Sequence, residues 1–280
     1  MIDTHQHFWR LSRGGYNWMP KDVPVLYRDY EPADLREILD QTGIEQTIVV
    51  QADDNVAETE FLLELASTHD WVVGVVGWVD LTAPEARQSV LRLANNPKLL
   101  GIRPMIQDIA DPEWMLHPGL RDGLRAVIES DLTFDALVKP IHLPILDRFL
   151  EMYPELRVVV NHMAKPDFKS ENFESWSEGL SRVGAHPNTF CKISGLLTEA
   201  PHGTNYADIL GHLDVAKKAF GPDRLIFGSD WPVLNLAAEY AEWLQMVKTW
   251  CEQSKGLNWS QLSQNNVRNA YPRILNTTGD

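Results

Sequence analysis

Short runs of apolar, β-branched residues recur along the chain, each followed by a longer stretch in which apolar residues return every three or four positions. That alternation predicts repeated strand–helix units. The strand-like runs are residues 1–5, Gln46–Gln51, Val72–Val79, Leu99–Arg103, Thr133–Val138, Arg157–His162, Thr189–Ser194 and Leu225–Ser229. Helical periodicity covers Pro32–Leu39, Val56–Thr68, Pro84–Ala94, Gly119–Glu129, Pro144–Tyr153, Phe173–Val183, Asn205–Phe220 and Leu236–Gln253, and a last helix from Ser260 to Ala270 closes the chain. Phe61, Leu62, Leu65 and Ala66 share one face of the second of these helices, while Pro32 and Gly43 punctuate the first. Eight strands, each followed by a helix, predict an α/β fold: a single (β/α)8 TIM barrel spanning residues 1–280, with an open doubly wound sheet as the alternative.

Residues 8–31, after the first strand, have no clear period and contain Gly14-Gly15, Pro20 and Pro24. A connection this long is more often functional than filler, and here it is expected to cover the barrel mouth. The polar tail Asn276–Asp280 is expected to fray.

Of the 280 residues 44% are hydrophobic and 23% charged, and no apolar run approaches the length of a membrane span, so a soluble globular protein is expected. The first residues lack a secretory signal, which makes cytoplasm the default compartment. Both cysteines are expected to be reduced, with Cys191 a small core residue in an apolar strand. A net charge of −14 argues against nucleic acid as a partner. Among the ten tryptophans, Trp9, Trp18, Trp78 and Trp231 fall at strand ends or in the loops that follow. Flat rings there either line a ring-binding pocket or anchor loops.

Chemistry in such a barrel sits at the C-terminal ends of the strands. Those ends offer His5 and His7, Gln51 and Asp53, Trp78 and Asp80, Arg103, Lys139 and His142, His162 and Lys165, Lys192 and Ser194, and Asp230. Alternating residues on a strand leave the same face, so the imidazoles of His5 and His7 point together. If His162 and Asp230 reach the same mouth, a hydrolase site forms from opposite ends of the sequence. Gly195 and Gly228 are placed to let backbone approach closely beside it.

Asp3-x-His5-x-His7, Asn161-His162-x-x-Lys165-Pro166, Lys192-x-Ser194-Gly195 and Gly228-Ser229-Asp230-Trp231-Pro232 together resemble the amidohydrolase superfamily. Within it the chain is similar to the branch of sugar-lactone hydrolases that contains L-fuconolactonase, L-rhamnonolactonase and the pyrone-dicarboxylate lactonases. The resemblance runs from His5 to Asn269. It implies a hydrolase of carbohydrate metabolism that opens a small-molecule lactone, with His5, His7, His162 and Asp230 at the metal-ligand and base positions. The fourth-strand position that bridges two metals in binuclear members is here at or near Arg103, and a fixed cation repels a second metal ion. At most one divalent ion, most naturally zinc, is therefore expected, with metal-independent catalysis as the alternative. Asp230 would act as general base toward water, and His5, His7 or Lys192 would help polarise the carbonyl. Substrate contacts are expected from Arg103, Lys165, Trp78, Trp231, Gln51 and His142. The rival readings are a metal-dependent decarboxylase of aromatic or unsaturated carboxylates, a nuclease sharing the opening His-x-His, and a non-catalytic barrel that binds sugar acids.

Overall fold

The computed structural model describes residues 1–168 and 173–276; most of the polar tail expected to fray, residues 277–280, lies outside them. Among the described residues, eight strands follow one another in chain order around the sheet, every neighbouring pair parallel. They are β1 (Ile2–Gln6), β2 (Gln46–Val50), β3 (Val72–Gly77), β4 (Leu99–Ile102), β5 (Thr133–Ala136), β6 (Val158–Val160), β7 (Thr189–Ile193) and β8 (Leu225–Phe227). The sheet closes where β1 meets the segment after β8: Asp230 N donates to His5 O at 2.8 Å and His7 N to Trp231 O at 2.8 Å. Closure rules out the open sheet and gives the expected barrel.

A buried carboxylate stitches that seam. Asp3 Oδ1 accepts from Ser229 N at 2.9 Å and His5 N at 3.0 Å, and Oδ2 accepts from Tyr240 OH at 3.0 Å. Burial raises the Asp3 pKa to about 6 even against these donors. The first and last strands are thus held in register by a residue two positions before His5 and a backbone amide one position before Asp230.

The helices are α1 (Pro32–Thr42), α2 (Val56–Thr68), α3 (Ala86–Ala94), α4 (Arg121–Glu129), α5 (Leu143–Met152), α6 (Phe173–Gly184), α7 (Leu196–Glu199), α8 (Tyr206–Phe220), α9 (Tyr240–Gln253) and α10 (Asn266–Ala270). Capping explains several boundaries. Glu31 N donates to Asp34 Oδ2 at 2.8 Å at the start of α1, and Gly43 ends it in the left-handed conformation with φ 73°. Asn55 Oδ1 accepts from Glu58 N at 2.8 Å at the start of α2. The helix expected from Leu236 begins only at Tyr240, because Val233–Leu236 form a separate 3-10 turn. None of the helices among the described residues is long and apolar enough to cross a membrane.

The closing helix expected over Ser260–Ala270 is present as a π-turn at Gln261–Asn265 followed by α10. Val267 and Ala270 of α10, with Tyr271 and Ile274 beyond it, join Ile48, Val76, Leu100, Val159, Phe190 and Ile226 in one cluster. Thr133, at the start of β5, donates to Ala270 O at 2.6 Å, and Arg273 donates to Leu99 O at the start of β4 at 2.7 Å. Both contacts lie at the N-terminal ends of strands, so the C-terminal segment plugs the floor opposite the mouth.

Candidate active site

His5 and His7 leave β1 on the same side, as the alternation requires. His7 Nδ1 lies 2.8 Å from Val50 O and must donate to that carbonyl, which leaves its Nε2 lone pair facing inward. Nε2 of His7 is 3.2 Å from Nε2 of His5 and 3.3 Å from Asp230 Oδ1. His5 Nε2 stands 3.5 Å and His162 Nε2 3.8 Å from the same carboxylate oxygen.

Unusual backbone delivers the last two groups. Asp230 has φ 63°, and His162, Met163, Ala164 and Lys165 form a run of left-handed residues with φ between 50° and 59°. Such a run without glycine is costly for L-residues and is tolerated where surrounding structure enforces it. It turns His162 and Lys165 to the same cavity. The adjacent glycines are sterically required. A Cβ on Gly228 would stand 2.7 Å from that of His5, and one on Gly195, itself at φ 62°, would stand 2.4 Å from His162 Nδ1.

The electrostatics follow from burial. Desolvation drives the pKa of His5 well below its usual value, lowers that of His7 and takes that of His162 to about 3. Burial also opposes ionisation of Asp230, but attraction to the imidazoliums that His162 and His7 become in acid, and to the ammonium of Lys165, outweighs it and holds the carboxyl at about 2. Neutral imidazoles therefore surround an ionised carboxylate at neutral pH. Arg103, lowered to about 10 by burial, remains charged and directs Nη1 at His5 Nε2, 3.4 Å away.

Three of these groups suit a metal ion. Ligands about 2.0–2.1 Å from a tetrahedral zinc lie about 3.3–3.4 Å from each other, and His5, His7 and Asp230 present ligand atoms 3.2, 3.3 and 3.5 Å apart. His7 Nε2 turns its lone pair toward the Asp230 carboxylate, an arrangement that a cation held between them would relieve. The donor set fits one divalent ion, and Arg103 beside it leaves no anionic bridge for a second.

A cavity of about 270 Å³ opens above this group, walled by His7, Arg103, His162, Lys165 and Asp230. A model of the family described as Amidohydrolase matches residues 2–268. The chain belongs to the amidohydrolase family. Among its relatives, the L-fucono-1,5-lactonase of Burkholderia ambifaria is 44% identical over 256 residues, covering 90% of this chain and 87% of the relative. The L-fucono-1,5-lactonase of Burkholderia multivorans is 38% identical, covering 90% and 88%. A crystal structure of an amidohydrolase from Burkholderia multivorans with bound zinc superposes with a TM-score of 0.89 at 35% identity, covering 97% of this chain and 98% of that one.

Within this amidohydrolase, several expected contacts fall elsewhere. Lys192 does not reach the cavity: it is fully buried and donates to Asp135 Oδ1 at 2.9 Å, which also accepts from Asn161 Nδ2 and Tyr271 OH, each at 2.9 Å. Burial lowers its pKa, and the Asp135 charge works against that loss. Gln51 is likewise enclosed, donating through Nε2 to Arg103 O at 2.9 Å while its own backbone oxygen accepts from the guanidinium. It holds Arg103 and touches no substrate space. His142 accepts from Lys139 N at 3.0 Å and caps its turn. Trp231 is buried edge-on against Phe8 and Tyr30, and Trp78 faces a neighbouring cavity. His5, fully buried, stands behind His7 and not in the cavity wall.

The wall includes groups that the strand-end reading did not select. Trp18, from the connection after β1, exposes its ring to the cavity and is fixed by an Nε1 bond to Ala52 O at 2.7 Å. Met105, Gln107 and Asp108 come from the turn after β4. Ser194 Oγ lies 2.9 Å from His162 Nδ1 and orients that ring. Lys165 is paired with Glu199 at 2.8 Å. Polar residues within about five positions of a strand-end arginine were a usable signal for Gln107 and Asp108; nothing in the sequence separated Trp18 from Trp231. Cys191 is a buried free thiol, its pKa pushed up by desolvation, and is no nucleophile.

Proposed function

We propose that the protein hydrolyses a sugar-derived lactone of the L-fucono- or L-rhamnono-lactone type, opening it to the hydroxy acid. One observation carries the reading: an ionised Asp230 in the wall of a cavity that also holds His7, His162 and two cations, Arg103 and Lys165, with His5 behind it. The relatives named L-fucono-1,5-lactonase support the substrate class.

Asp230 accepts a proton from water as its oxygen attacks the lactone carbonyl. Arg103 and Lys165 balance the negative charge that develops there and hold the substrate's oxygens. On collapse the acyl C–O bond breaks, and the proton on Asp230 returns to the departing ring oxygen, which leaves as an alcohol. His162, oriented by Ser194, and His7, tied to Val50 O, flank the carboxylate as neutral rings at working pH. His5, His7 and Asp230, with His162 adjacent, would hold one divalent ion, zinc by donor type, and that ion would supply Lewis acidity toward the carbonyl. Two buried free thiols fit a reducing compartment such as cytoplasm.

The test is a panel of aldonolactones with purified protein, following acid release and, on aromatic carboxylates, carbon dioxide. Acid release from L-fucono- or L-rhamnono-lactone is expected. Carbon dioxide release without lactone opening would replace this reading by the decarboxylase, and ligand binding without any turnover would replace it by a sugar-acid binding barrel.

A further inference from the structure

Beside the catalytic cavity, on the same face of the barrel, lies a second one of about 220 Å³ lined by Trp78, Trp114, Asp54, Asp80, Met105 and Asp108. Met105 and Asp108 line both, so the two adjoin along the turn after β4. Resting on the lactonase reading, we infer that this second cavity binds a neutral sugar ring attached to the lactone, making glycosylated aldonolactones substrates.

Four features of the cavity support a sugar. Its aromatic residues are held in place: Trp78 N donates to Thr59 Oγ1 at 2.7 Å and Thr59 Oγ1 donates to Trp78 O at 2.9 Å, while Trp114 N donates to Asp111 O at 3.1 Å in the turn that leads into Trp114–Leu116. Flat apolar rings stack on the C–H faces of a pyranose with little entropy lost. Their polar ends are also available. Among the described residues, the indole N–H groups of Trp71, Trp78, Trp114 and Trp231 make no hydrogen bond to protein, and of these four Trp78 and Trp114 line this cavity.

The charge of the lining selects the occupant. Asp54, Asp80 and Asp108 supply acceptors for hydroxyl groups, and no Lys or Arg lines the space. Asp80 directs Oδ1 to Thr82 at 2.6 Å, which leaves Oδ2 without a protein donor among the described residues. A sugar acid or phosphate would be repelled here, in contrast to the catalytic cavity with Arg103 and Lys165. Size agrees: each cavity alone is smaller than the roughly 300–1,000 Å³ of pockets for drug-sized ligands, and joined they enter that range.

The experiment compares kcat/KM for 3-O- and 4-O-glycosyl aldonolactones, made by oxidising neutral disaccharides, with that for each unglycosylated parent. In the wild type at least one neutral glycosyl unit is expected to raise kcat/KM about tenfold. A uronic acid in its place should give no gain. Trp114→Ala is expected to remove most of the gain while leaving the parent within about twofold; the exposed Asp54→Asn gives the same readout should the tryptophan variant fail to fold. No gain in the wild type, or a gain untouched by both variants, overturns the inference. If no lactone of either kind is opened, the lactonase reading falls and this inference falls with it, whereas opening of the parents alone refutes only the second cavity's role.

Discussion

His7 and Asp230 stand 223 positions apart in the chain and 3.3 Å apart in space. Their meeting depends on the Asp3 carboxylate, which binds the backbone on either side of the barrel seam, and on Gly228, where no side chain fits against His5. Gly228→Ala is therefore expected to push the two strands apart. The overpacking should cost about 1–3 kcal/mol of stability and lower kcat by a larger factor than it raises KM. Urea unfolding together with steady-state kinetics checks both.

Arg103 is locked by Gln51 and aimed at His5 and the cavity. A lysine cannot serve both directions with one ammonium. Arg103→Lys should raise KM for the lactone about 10- to 100-fold, the loss of one charge-assisted hydrogen bond, with a melting temperature close to that of the wild type. An unchanged KM would remove Arg103 from substrate binding.

Lys192 and Asp135 form a fully buried ion pair beneath the site. Lys192→Met leaves the carboxylate unpaired and should destabilise the protein by about 3–5 kcal/mol. Adding Asp135→Leu should recover much of that loss. Equal effects of the single and double variants in chemical denaturation would contradict the coupling.

Glu58, buried on α2, accepts from Tyr16 OH at 3.0 Å and ties the connection after β1 to the barrel. Burial raises its pKa from 4.5 to about 7, against the opposing pull of Tyr16, Ala52 N and Arg13. The folded state thus holds this proton more tightly than the unfolded chain. Its contribution is full below pH 4.5 and is lost as pH rises through about 7, on the order of 3 kcal/mol. Glu58→Gln should shrink the stability difference between pH 5 and pH 8, measured as urea midpoints for both proteins. An unchanged difference would refute the assignment.

The barrel was legible because strand and helix periods alternate, and the inward pair on β1 follows from alternation alone. What stayed hidden has physical causes. The C-terminal segment carries the same apolar spacing whether it lies outside the barrel or plugs its floor. Lys192 looked like a catalytic cation because its partner, Asp135, lies on a different strand 57 positions away. The left-handed run from His162 to Lys165 contains no glycine to announce it, yet it decides that both side chains reach the cavity. Trp18 and Trp231 differ only in what tertiary packing places over them.

The central claim is that the Asp230 carboxylate is the base for lactone opening, and kcat/KM for L-fuconolactone hydrolysis by wild type and Asp230→Asn tests it most directly. A loss of about 10²- to 10⁴-fold in a variant that folds as the wild type does is predicted; equal turnover by the two proteins would contradict it.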